Sequence, residues 1–136
     1  MTPRGIRNNN PGNIRKGENW DGLDRQATEQ ELDFCVFTEA KWGVRALCRL
    51  LLTYFRRDGL QTVEEIIRRY APAKENDTRS YIADVCQRTG FQAQEKLCLS
   101  DRRVMMKLIK AIIWHENGTL PYEEKELSVG IRLAGL

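Results

Sequence analysis

Residues 105–118 read Met105-Met106-Lys107-Leu108-Ile109-Lys110-Ala111-Ile112-Ile113-Trp114-His115-Glu116-Asn117-Gly118, and one acid in this stretch decides how the chain is read. Met105, Leu108, Ile109, Ile112 and Ile113 recur at spacings of three and four, the pattern of a helix that buries one face. Ser100 can cap such a helix and Gly118 is a typical residue for ending one, so a helix is predicted over 100–117. The next position on the buried stripe is Glu116, seven after Ile109 and four after Ile112. An acid thus stands where the pattern asks for a hydrophobe, in a last turn whose dipole disfavours negative charge. Both effects penalise the ionised form, and a carboxyl that keeps its proton can deliver it to a leaving oxygen. The plainer reading is that the stripe frays and Glu116 turns to solvent. Periodicity alone leaves both open, and Trp114 and His115 beside it are equally ambiguous.

Thr38 can cap a helix over 39–57, with Trp42, Ala46, Leu47, Leu50, Leu51 and Tyr54 at helical spacing and Gly59 closing it. Thr62-Val63-Glu64-Glu65 reads as a capping box opening a helix to residue 70, with Val63, Ile66 and Ile67 inward and Pro72 ending it. A polar loop over 71–77 leads to a helix over 78–88, with Tyr81, Ile82 and Val85 on one side, and a last short helix is predicted within 123–133. The first part, to Phe37, is different in kind. Asn8-Asn9-Asn10-Pro11-Gly12-Asn13, then Gly17, Asn19 and Gly22, are turn formers. Short β candidates at 13–15 and 33–37 flank them, which predicts a small irregular β-hairpin. The fold class expected is mainly α: one domain over 1–136, divided into a hairpin-and-loop region 1–37 and a helical region 38–136.

Composition narrows the function classes. The 136 residues suit a single hydrophobic core, and 41% hydrophobic with 30% charged residues is an ordinary globular balance. No apolar run approaches the roughly 20 residues that span a bilayer, so no membrane insertion is expected. The opening Met-Thr-Pro-Arg-Gly-Ile-Arg has no apolar stretch and does not read as a secretory signal, so a target outside the cytoplasm requires a separate delivery route. A net charge of +3, with basic residues scattered among acids, argues against a nucleic-acid partner and suits an anionic polymer. Cys35, Cys48, Cys86 and Cys98 form no CxxC pair and have no nearby histidine cluster, so reduced thiols and no metal are expected.

Two segments carry a resemblance. Asn8-Asn9-Asn10-Pro11-Gly12-Asn13-Ile14-Arg15, with Trp20-Asp21-Gly22 and Phe37 through Trp42-Gly43-Val44-Arg45, resembles the β-hairpin of lysozyme-like peptidoglycan hydrolases. In the glucosaminidase and lytic transglycosylase branches that region reads roughly Asn-Asn-x-Phe-Gly-Ile-Lys, a Trp-x-Gly, then Phe and a helix start. Their catalytic Glu precedes the hairpin, on a helix of the form Ala-x-x-x-His/Gln-Glu-Ser/Asn-Gly. Here only seven residues precede Asn8, whereas Ala111 through Gly118 is similar to that helix, displaced to the C-terminal end. The resemblance therefore implies a circularly permuted lysozyme-like domain, a rearrangement tolerated where the packed contacts are unchanged. The arrangement also looks like that of small phage-encoded, virion-associated or lysis proteins often called simply structural proteins.

What the resemblance implies about chemistry is specific. Glu116 is the expected catalytic acid. Tyr70-Ala71-Pro72 and Glu75-Asn76-Asp77-Thr78, with Tyr81-Ile82, are similar to the family segment Tyr-Ala-x…Tyr-Val/Ile-x-x-Val, whose second Tyr lies near the catalytic Glu. Asn8, Asn10, Asn13, Trp20, Glu75, Thr78, Tyr81 and His115 are the expected substrate-binding residues. The bland alternatives stay open: Tyr81 as a core residue, Asn76 or Asp77 as a helix cap. Glycosidases usually pair two carboxylates, and Asp21, Asp24 and Glu75 are the candidates for a second. Without one, the single-Glu scheme of lytic transglycosylases applies. The expected activity is cleavage of peptidoglycan glycan strands for cell-wall penetration or lysis, without a cofactor. The expected setting is a monomer in a virion or a host cytoplasm, with virion proteins or a holin as partners. The rivals are a non-catalytic lysozyme-like peptidoglycan-binding or virion structural protein, and a nucleic-acid-binding phage protein.

Overall fold

The long apolar stripe does become the central element. In the computed structural model, which describes residues 1–73 and 77–136, it forms α6 (Arg102–Asn117). Met105, Leu108, Ile109, Ile112 and Ile113 are fully buried in one core shared with residues of the other long helices. Those are α3 (Ala40–Asp58), α4 (Val63–Tyr70), α5 (Thr78–Thr89) and α7 (Glu124–Leu133). The chain is mainly helical, and α6 packs on α3, α5 and α7. Among the described residues no helix is long and apolar enough to cross a membrane.

The helix ends follow from side-chain chemistry. Thr62 Oγ1 accepts from Glu65 N while the Glu65 carboxylate accepts from Thr62 N, the reciprocal box predicted for α4. Asp101, one residue beyond the predicted Ser100, caps α6 by accepting from Arg103 N. Gly59, Gly90 and Gly118 close α3, α5 and α6 in the left-handed conformation. Thr38 does not cap α3: its hydroxyl donates to Gly22 O, tying the helix start to the opening segment.

The opening segment differs from the predicted hairpin. It begins with a single turn, α1 (Arg4–Arg7), and carries α2 (Arg25–Gln30), which apolar periodicity did not reveal in six mostly polar residues. The two β candidates meet in a single isolated antiparallel bridge, Arg15↔Phe34, and a second bridge pairs Phe37 with Leu23, outside both candidates. Side chains occupy the backbone groups that a ladder would pair. Asn10, fully buried, donates to Ile14 O and Cys35 O and accepts from Ile14 N. Thr28 Oγ1 takes both polar groups of Val36, and Asn9 Nδ2 takes Phe37 O. Such local bonds compete with strand pairing.

This segment is docked on the end of α6. Asn117 Nδ2 donates to Pro11 O at 2.8 Å, and α1 packs against α6. A Cβ on Gly5 would lie 2.5 Å from Asn117 Oδ1, so the approach requires glycine.

Candidate active site

The site is built where the asparagine-rich turn meets the last turn of α6. Asn10 anchors the turn, and Asn13 N donates to Asn10 O. That leaves Asn13 in the left-handed region at φ 51°, which asparagine tolerates better than most residues. From there Asn13 Nδ2 donates to Glu116 Oε1 at 2.8 Å. Tyr81, on α5, donates its hydroxyl to Glu116 Oε2 at 2.8 Å. Each carboxyl oxygen thus has one donor, and the carboxyl plane is fixed from two elements distant in sequence. Glu116 is half-buried on the wall of a cleft of about 520 Å³, with Asn13, Trp20, Tyr54 and Tyr70 among its other lining residues.

Tyr81 is 1% exposed, and it is braced from behind. The His115 ring stacks on it at 3.7 Å between centroids and 27° between planes. His115 Nδ1 lies 2.8 Å from Asp84 Oδ2, and Arg88 pairs with the other Asp84 oxygen at 2.9 Å. Burial would push the Asp84 carboxyl up, but hydrogen bonds from His115 and Arg88 outweigh it and hold Asp84 below the usual carboxylate range. Burial, then the nearby charge of Glu116, pushes the Tyr81 phenol well above its ordinary value, so it stays a donor. The same two causes act on Tyr70, whose hydroxyl donates to Gly12 O in the cleft wall.

The expected site residues separate into three groups. Glu116, Asn13 and Trp20 line the cleft, and Tyr81 touches Glu116. His115 lies one layer back, against Tyr81 and Asp84. Asn8, Asn10 and Thr78 do not line it; they are buried and satisfied by the protein itself. Asn8 Nδ2 donates to Glu31, and Thr78 Oγ1 donates to Ala71 O. Their place is structural because a buried polar group must find a partner, and each finds it in the fold. Glu75 and Asn76 lie outside the described residues. Asp77 caps α5 by accepting from Ser80 N. Of the candidates for a second acid, Asp21 pairs with Arg45 and Asp24 caps α2. Among the described residues, the carboxyls lining the cleft are Glu116 and the exposed Glu18.

Arg4, Arg15, Glu18 and Tyr70 also line the cleft and were not singled out for it from sequence. Arginines and an acid in a turn-rich stretch carry no periodic signal. Trp20 Nε1 and Asn13 Oδ1 are buried and have no hydrogen-bond partner among the described residues. All four cysteines are free thiols; Cys35 and Cys48 are buried, Cys86 half-buried and Cys98 exposed. Among the described residues no cluster of His, Cys, Asp and Glu is arranged to hold a metal ion.

No family model matches the chain. It is 41% identical over 131 residues to Protein P5 of Pseudoalteromonas phage PM2, an alignment covering 93% of this chain and 79% of that protein.

Proposed function

The chain belongs to the family of the phage Protein P5, and from that premise we propose that it cleaves the glycan strands of bacterial peptidoglycan, with a circularly permuted lysozyme-like fold. A phage context supports the reading, since phages that infect walled bacteria must breach peptidoglycan at some stage. The observation that carries it is the Glu116 carboxyl, held by Asn13 and Tyr81 on the wall of an open cleft.

Each Glu116 oxygen keeps a second lone pair beyond the one its donor occupies. With a proton there, Glu116 protonates the glycosidic oxygen, and the C1–O bond breaks with its electron pair going to that oxygen. The ring carries oxocarbenium-like charge and Glu116 is left a carboxylate, which the Asn13 amide and the Tyr81 hydroxyl stabilise. Glu116 then removes a proton from the muramyl 6-hydroxyl as that oxygen bonds to C1, giving an anhydro sugar. If water takes that place, the product is a reducing end. Neither route needs a second carboxylate, which suits a cleft whose other described acid, Glu18, is exposed. Tyr54, Tyr70 and Trp20 offer aromatic surface along the same wall for sugar rings.

The test is Glu116→Gln, which keeps the shape and one acceptor oxygen for Asn13 or Tyr81 but has no acidic proton to give. Release of soluble muropeptides from purified sacculi is expected to fall by about 10²–10⁴-fold. Mass spectrometry of the wild-type digest distinguishes the anhydro product from the reducing end, which differ by one water. Equal release by variant and wild type removes Glu116 from the chemistry. No release by either leaves a wall-binding or virion structural protein as the function.

A further inference from the structure

Three residues on α5 meet three consecutive residues at the end of α6. Tyr81, Asp84 and Arg88 follow one another at spacings of three and four, so they share a face of α5. Tyr81 donates to Glu116 at 2.8 Å, and Asp84 Oδ2 lies 2.8 Å from His115 Nδ1. The guanidinium carbon of Arg88 stands 4.7 Å from the centroid of the Trp114 ring, and its Nε donates to the other Asp84 oxygen at 2.9 Å. Of these pairs the first reaches the cleft, through Glu116; Asp84 and His115 do not line it.

The middle pair governs the first. An ionised carboxylate only accepts hydrogen bonds, so the proton shared with Asp84 lies on His115 Nδ1. That bond fixes the plane of the imidazole, the part a carboxylate plays beside many functional histidines. The ring then lies against Tyr81 at 3.7 Å between centroids. Without the bond little holds it there, because the His115 side chain is 29% exposed and water can solvate both ring nitrogens once it swings out. Tyr81 would lose the surface packed against its ring, and with it the fixed position of its hydroxyl.

We propose that Asp84 is a positioning residue for the Glu116 acid: by holding the His115 ring on Tyr81, it keeps the Tyr81 hydroxyl on the Glu116 carboxyl. The proposal rests on Glu116 acting as the acid and adds what keeps its donor in register. A displacement of about 1 Å in such a group can cost about 10²-fold in rate. The plainer role for Asp84 is to pair with Arg88 one turn away and stabilise α5.

A rescue experiment separates the two roles. Asp84→Ala should lower kcat on soluble peptidoglycan strands about tenfold with KM nearly unchanged. Asp84→Leu, which keeps the bulk but no acceptor, should behave alike, so the comparison survives if one of the two variants loses its helical dichroism. A phenyl ring is apolar and stays on Tyr81 without a tether. In the His115→Phe background, Asp84→Ala should therefore cost less than about twofold. A tenfold loss that persists in that background assigns Asp84 to the stability of α5 and overturns the proposal, as does wild-type kcat in Asp84→Ala. Exchange of the Tyr81 hydroxyl proton, followed by NMR and assigned by its absence in Tyr81→Phe, reads the same geometry without substrate. It should quicken about tenfold in Asp84→Ala and return to the wild-type rate when His115→Phe is added; exchange indifferent to Asp84 overturns the proposal. Cleavage by the wild type that Asp84→Ala leaves unchanged keeps the proposed function and removes the positioning role. No cleavage by the wild type, with hydroxyl exchange still governed by Asp84, keeps the positioning role and removes the function.

Discussion

Tyr81 and Asn13 reach Glu116 by different means, and the difference can be measured. Tyr81 is a buried hydroxyl on a regular helix; Asn13 is a half-buried amide on a left-handed turn residue. Tyr81→Phe removes one donor from Glu116 Oε2 and little volume, so turnover should fall about 10- to 100-fold with KM nearly unchanged. Asn13→Gly also removes a donor, but glycine keeps φ 51° at no steric cost, so activity should fall while the unfolding midpoint stays close to wild type. Asn13→Ala should lose the same activity and about 1–2 kcal/mol of stability besides, because alanine resists that conformation. His115 gives the sharper contrast. It braces Tyr81 and lies behind it, so His115→Phe, which keeps a stacked ring, should retain activity within about threefold, whereas His115→Ala leaves a void and should not. Loss of activity in both variants alike would return His115 to a direct role with substrate. Glu116 was legible in sequence because it interrupts a stripe. Asn13 was not separable from Asn8 and Asn10, since which asparagine faces the cleft depends on a turn conformation that composition does not encode.

Elements were legible in proportion to their periodicity and caps. The capping box at Thr62 and the stripe through Ile112 marked α4 and α6 closely, because amphipathic spacing and orphan backbone groups are local constraints. The short helix α2 and the failed hairpin were not legible, because Asn10 and Thr28 decide them through bonds to residues 25 and 8 positions away. Gly43 shows how an element's contacts reverse a local rule. It lies in the first turns of α3, where alanine would ordinarily stabilise a helix by roughly 0.5–1 kcal/mol. Here a Cβ would stand 2.0 Å from the Asn9 carbonyl oxygen, against backbone that the Asn9 and Asn10 bonds hold in place. Gly43→Ala should therefore destabilise, by about 2–4 kcal/mol, and loosen the turn that presents Asn13. Urea unfolding checks the sign: a raised midpoint would mean that the turn is free to move away from α3.

At the scale of the whole molecule, the four tyrosines share one electrostatic condition. Burial pushes Tyr54, Tyr70 and Tyr81 up, Tyr122 is pushed up to about 12, and Glu116's charge adds to Tyr70 and Tyr81. In the unfolded chain these phenols ionise near pH 10. Between that pH and the folded values the unfolded chain binds fewer protons than the native one, so stability falls as pH rises. Each tyrosine that ionises only on unfolding contributes about 1.4 kcal/mol per pH unit to that slope, and below about pH 9 the whole stabilisation is present. The folded protein should therefore show little phenolate absorbance at 295 nm as pH passes 10. The absorbance should instead rise together with the loss of helical dichroism. Phenolate appearing near pH 10 with the helices intact would mean that these rings are solvated. Because Tyr81 both donates to Glu116 and resists ionisation through the same burial, Tyr81→Phe should reduce the alkaline slope by the share of one proton while it lowers turnover. A variant that loses turnover with the slope unchanged would separate the site's chemistry from the packing that encloses it.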